Sequence, residues 1–95
     1  MIHKIKLRED FIEPVVKGDK NFEIRFNDRG YQKGDYIKFI PVDKDGKEIQ
    51  KIFMNKNEEE IIRSTYEITY VLNGWGLQDG YVVFGFYQNA WSREL

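Results

Sequence analysis

The sequence predicts a single mainly β domain with α: a small, largely antiparallel β-barrel of about six short strands, with one helix between the first two. Three observations predict it. Aromatic residues make up 16% of the chain, a share that suits strands better than helices. Five or six short segments alternate apolar and polar residues at period two. Only one segment, near the N-terminus, carries a helical stripe. A split α+β sandwich is the competing arrangement.

Residues 2–7 set Ile2, Lys4 and Lys6 against His3, Ile5 and Leu7, as a short strand does. Over residues 9–17, Phe11, Ile12, Val15 and Val16 share one helical stripe, Asp10 with Glu13 resembles a capping box, and Gly18 is placed to end the helix. Pro14 suits only the start of a helix, so an irregular first turn is expected. KNFEIRFN, residues 20–27, is the second strand. Phe22, Ile24 and Phe26 form its apolar face, and Asn21, Glu23, Arg25 and Asn27 its polar, half-exposed one. A loop follows over 28–35, then a third strand over 36–42. Asp45-Gly46 is a hairpin signal leading into a fourth strand around 47–53. Residues 54–63 give no firm assignment beyond a solvated turn at Glu58, Glu59 and Glu60. TYEITYVL, residues 65–72, is a strand, and 73–76 a turn. YVVFGFY, residues 81–87, is apolar enough for a strand covered on both faces, with Gly85 marking a bend or a close approach.

Several function classes are excluded by what the chain lacks. With no cysteine there is neither a disulfide nor a thiolate metal site. His3 is the only histidine, so a two-histidine zinc site and a Ser-His-Asp triad cannot be built; on a strand it is expected to be structural. The glycines match neither the dinucleotide fingerprint nor a phosphate loop, and Asp43 with Asp45 supplies too few ligands for calcium. No cofactor or metal is expected. Without a signal-peptide pattern or an apolar run near the ~20 residues of a membrane span, the expectation is a soluble, cytoplasmic monomer spanning 1–95. The net charge of −1 excludes a diffusely basic nucleic-acid binder. Any such contact must come from a local cluster.

One cluster stands out. Lys20, Arg25 and Arg29 place three cations within ten residues, with Glu23 and Asp28 able to orient them. An arginine held by a carboxylate loses less entropy when it grips a phosphate or base edge.

The stretch GDKNFEIRFNDR, residues 18–29, resembles the Gly-x-Lys-x-x-Glu-x-Arg signature of ASCH domains, a branch of the PUA-like superfamily. It is most similar to a small bacterial and phage subgroup that carries Glu-Ile-Arg-x-Asn-Asp-Arg and then Gly-Asp, here Glu23-Ile24-Arg25, Asn27-Asp28-Arg29 and Gly34-Asp35. His3 and Gly76-Leu77-x-x-Gly80-Tyr81-Val82-Val83 fit as well. The resemblance implies a barrel of about six strands with a helix between the first two, and a cleft lined by Lys20, Glu23 and Arg25. It also implies binding of RNA or of a single, modified nucleotide, single strands being preferred. In that reading Lys20 and Arg29 contact phosphate, Arg25 reads a base edge or phosphate, and Glu23 orients Arg25 or accepts from a base amino group. Asn27 is counted among the binding residues, Asp28 shapes the loop carrying Arg29, and Trp75 or Tyr81 stacks on a base.

Two alternatives accompany it. Some ASCH relatives are amidohydrolases or ribonucleases, and Lys20 with Glu23 would be the catalytic pair; but Glu23 stands where the amidohydrolases carry a threonine nucleophile. A protein-interaction module, with a partner left unspecified, is the other.

Overall fold

The structure, a computed structural model, describes residues 1–50 and 65–88. Along β1 (Ile2–Arg8) burial alternates strictly, with His3, Ile5 and Leu7 inside and the even-numbered residues outside. The chain passes directly into α1 (Glu9–Val16), whose N-cap Arg8 makes no side-chain capping bond. The Asp10–Glu13 capping box does not form. Asp10 pairs with Arg8 at 3.2 Å, and Glu13 with Lys17 at 2.9 Å.

Pro14 lies past the first turn, and its carbonyl closes the helix by accepting from the Asp19 and Lys20 N–H groups at 2.9 and 3.1 Å. Gly18, at φ +82°, donates to the Val15 carbonyl at 3.0 Å, which completes a Schellman-type end. Ile12, Val15 and Val16 are buried. They span an arc of about 100° around the axis, which leaves Phe11 at its margin. Phe11 is accordingly exposed rather than part of the core.

β2 (Phe22–Phe26), β3 (Tyr36–Val42), β4 (Thr65–Asn73) and β5 (Tyr81–Gln88) complete a sheet of order β1-β3-β4-β5-β2, curled into a half-barrel with the helix between its first two strands. The β1–β3 pairing is parallel and the others are antiparallel. Five strands are present among the described residues. After the turn at Gly46, whose N–H donates to the Asp43 carbonyl at 3.0 Å, the expected fourth strand is reduced to one bridge, Val42 to Glu48. Its end at 51–53 and the uncertain 54–63 segment lie outside the described residues.

The core fills the concave side. Phe39, Tyr66, Phe84 and Phe86 meet there at ring separations of 5.2–6.4 Å, with the helix packed over Ile5, Leu7 and Ile37. His3 is a core residue, as expected: it hydrogen-bonds Asp35 at 2.7 Å and lies 4.8 Å from the Tyr31 ring. A register shift in β4 between Ile68 and Tyr70 lies beside Gly85, where a Cβ would come within 3.3 Å of Thr69 Oγ1. That is the close approach this glycine signals. β5, by contrast, is not covered on both faces. Val82, Phe84 and Phe86 are buried, whereas Tyr81 and Val83 are half-buried and Tyr87 is exposed.

Candidate functional site

β2 is seated the other way round from its sequence expectation. Phe22, Ile24 and Phe26 are 45%, 53% and 55% exposed, while Glu23 is 6% exposed. The pairing with β5 explains the seating. Glu23 and Arg25 lie opposite Phe84 and Val82, both buried, so they share the concave face with them. A buried carboxylate is tolerable only if it is paired and hydrogen-bonded. Here Glu23 Oε1 accepts from the Lys20 ammonium, and Oε2 from Arg25 Nε at 2.8 Å.

Arg25 does more than balance that charge. β1 and β2 are the two open edges of the sheet. Arg25 Nη2 donates to the Lys6 carbonyl of β1 at 2.8 Å, linking them. A phenylalanine turned inward at this position could not make that link.

The seam between these edges opens into a cleft of about 540 Å³, walled by β1, the start of α1, and β2. Among the described residues, Lys6, Arg8, Lys20 and Arg25 line it with one carboxylate, Glu23. The remaining lining is apolar or aromatic: Leu7, Phe11, Phe22, Ile24, Phe26, Val42 and Tyr81. The Lys20 ammonium sits 5.4 Å from the Phe11 ring centre and 5.6 Å from that of Phe22, within cation–π range of both. Phe26 and Tyr81 meet edge to face at 5.6 Å.

The structure brings together Lys20, Glu23, Arg25 and Tyr81 among the residues singled out by sequence. It does not bring in the others. Asn27 is structural, its Oδ1 accepting from the Tyr31 N–H at 3.0 Å. Asp28 and Arg29 are exposed in the following bend, outside the cleft lining. Trp75 is 88% exposed on a turn, also away from the cleft. Sequence reasoning missed Lys6, Arg8 and Phe11. The even-numbered cations of β1 were visible as a polar face, but nothing local to them says that this face borders β2.

As an acid–base couple, Lys20 and Glu23 are poorly placed. Both Glu23 oxygens are already engaged, and among the described lining residues Tyr81 carries the only hydroxyl. Among the described residues no group of three or more His, Asp or Glu could hold a metal ion, and no helix is long and apolar enough to cross a membrane.

Fold and site thus define a small curled β domain with a cationic, aromatic-walled cleft at the seam of its sheet. The chain belongs to the family described as a domain of unknown function, DUF3850, whose model matches residues 2–86. No curated protein matches it significantly.

Proposed function

We propose that this domain binds single-stranded nucleic acid or a nucleotide in the seam cleft, RNA being the expected form. The observation that carries the reading is the lining itself, four cations against one carboxylate among the described residues, interleaved with Phe11, Phe22, Phe26 and Tyr81. Cationic grooves that track a phosphate backbone, with ring faces on which bases stack, are the general solution for unpaired strands. The resemblance of residues 18–29 to ASCH domains supports the same reading.

The roles shift from those expected. Lys6 and Arg8, on the outward face of β1, are the phosphate contacts. Arg25, fixed by Glu23 and by the Lys6 carbonyl, presents its remaining N–H groups to a base edge or a phosphate. Phe11, Phe22 and Tyr81 offer the stacking surfaces. A hydrolase reading has no comparable observation behind it.

The test is a residue-resolved amide titration with short single-stranded RNA and DNA at two salt concentrations. Shifts should cluster at β1, residues 20–26 and Tyr81, and affinity should fall with a log–log salt slope of roughly −2 to −3, as three to four phosphate contacts require. Shifts absent from the cleft, or an affinity indifferent to salt, would remove the reading.

A further inference from the structure

The outer face of the sheet divides into two halves of different chemistry. Over β1 and β3 it carries Lys4, Lys6, Arg8 and Lys38. Over β4, β5 and β2 its charge is Glu67, opposite Tyr87, and the three rows that follow carry none among the described residues. The register sets Tyr70, Gly85 and Phe22 in one row, Leu72, Val83 and Ile24 in the next, and Tyr81 beside Phe26 in the third. Tyr70 is 63% exposed, and with the β2 residues it leaves on the order of 400 Å² of accessible side chain from four residues. Leu72, Val83 and Tyr81, all half-buried, extend it. A patch of this size is the largest that a soluble monomer normally shows, and it borders the open edge of β2.

We infer that this face pairs with the same face of a second copy, as a two-fold dimer. The three rows carry no cation of their own, Lys20 beside the Phe22 ring belonging to the cleft, and this speaks against nucleic acid lying across them, since phosphates need cations. Two such patches together bury roughly 1,000 Å², the lower bound for a specific interface. The patch is also self-complementary. A two-fold axis along the central row sets Gly85 opposite Tyr81 of the second copy and Phe22 opposite Phe26, so that rings meet a gap on one side and rings on the other. The dimer replaces the monomer expected from sequence, and because Phe22, Ile24, Phe26 and Tyr81 also line the cleft, it competes with a cleft ligand for them.

Sedimentation over a concentration series up to about 1 mM should show twice the 11.4 kDa chain mass with a dissociation constant of order 10–100 µM. Tyr70→Glu, at a position that lines no part of the cleft and is exposed enough to leave folding intact, should weaken the dimer at least ~30-fold, because a two-fold interface carries every substitution twice. Lys44→Glu, at the hairpin tip, should leave it unchanged. Amide shifts of Tyr70 and Val83 that follow protein concentration would place the contact on this face. A monomer throughout the series overturns the inference, as does a dimer that survives both Tyr70→Glu and Ile24→Glu. A Tyr70 amide shift on adding RNA to protein dilute enough to be monomeric would assign the face to nucleic acid and overturn it too.

Discussion

Arg25 closes the seam of the sheet onto Lys6: its Nη2 donates to the Lys6 carbonyl at 2.8 Å while its Nε holds Glu23 at the same distance. Removing the guanidinium leaves an edge carbonyl without its donor and a buried carboxylate held by Lys20 alone. Breaking a buried ion pair costs several kcal/mol, and the partial exposure of Arg25 together with the surviving Lys20 contact reduces this to about 2 kcal/mol for Arg25→Ala. Arg25→Lys should recover part of the loss, since a lysine restores the charge but not the two-ended contact. Urea unfolding of the pair checks it; a loss no larger than that of an ordinary surface truncation would mean that the seam is held elsewhere.

This dependence shapes how binding must be tested. Replacing Lys20 and Arg25 together would strand Glu23 and report unfolding instead of affinity. Lys6 and Arg8 are exposed and their side chains are free of that burden. Lys6→Ala with Arg8→Ala should weaken short single-stranded RNA across all sequences and flatten the salt slope by roughly 1.4, the share of two phosphate contacts. Fluorescence anisotropy at three salt concentrations measures both, with the melting temperature as a control. An unchanged slope would exclude β1 from the phosphate path.

How far the sequence carried these conclusions differs from element to element. Period-two alternation located β1, β3, β4 and β5 to within a residue or two, and Gly18 marked the end of the helix, because these signals are local. The seating of β2 was not local. Its alternation is symmetric, so Phe-Ile-Phe and Glu-Arg compete for the inside. The choice fell to two distant facts: the register against Phe84 and Val82, and a free carbonyl on β1. The cleft was legible as Lys20, Glu23 and Arg25. Its second wall was not, since the proximity of β1 to β2 comes from the curl of a five-stranded sheet. Arg29 stood out through its place in the cation cluster and the signature, and Trp75 through its ring, and the fold places both outside the cleft lining.

Asp35 provides a pH dependence. Burial alone would raise its carboxyl, but the His3 hydrogen bond, the Gln32 N–H and the nearby N-terminal ammonium outweigh that and hold it below its ordinary 3.8. A depressed carboxyl contributes stability that is fully present above its unfolded value and is lost as pH falls through the folded one. Unfolding free energy measured from pH 6 downward should therefore hold until about pH 4 and fall below it. Asp35→Asn should lower stability at pH 6 and flatten the acid limb. An unaltered acid limb in Asp35→Asn would assign the loss to other carboxylates.

Tyr66 carries a cost that a single atom could relieve. Its ring packs against Phe39 and Phe86 at 5.7 and 5.2 Å, yet its hydroxyl is buried with no hydrogen-bond partner among the described residues. Burial pushes the phenol up to about 12. A buried polar group without a partner costs about 1–3 kcal/mol, whereas removing it while keeping the shape is neutral or favourable. Tyr66→Phe should therefore raise stability by about 1 kcal/mol, with Thr65→Val, which removes a second such hydroxyl, acting in the same direction. Chemical denaturation measures the gain, and a spectrophotometric titration of Tyr66→Phe should lose the phenol that ionises near 12. A loss of stability in Tyr66→Phe would show that the hydroxyl has a hydrogen-bond partner in solution.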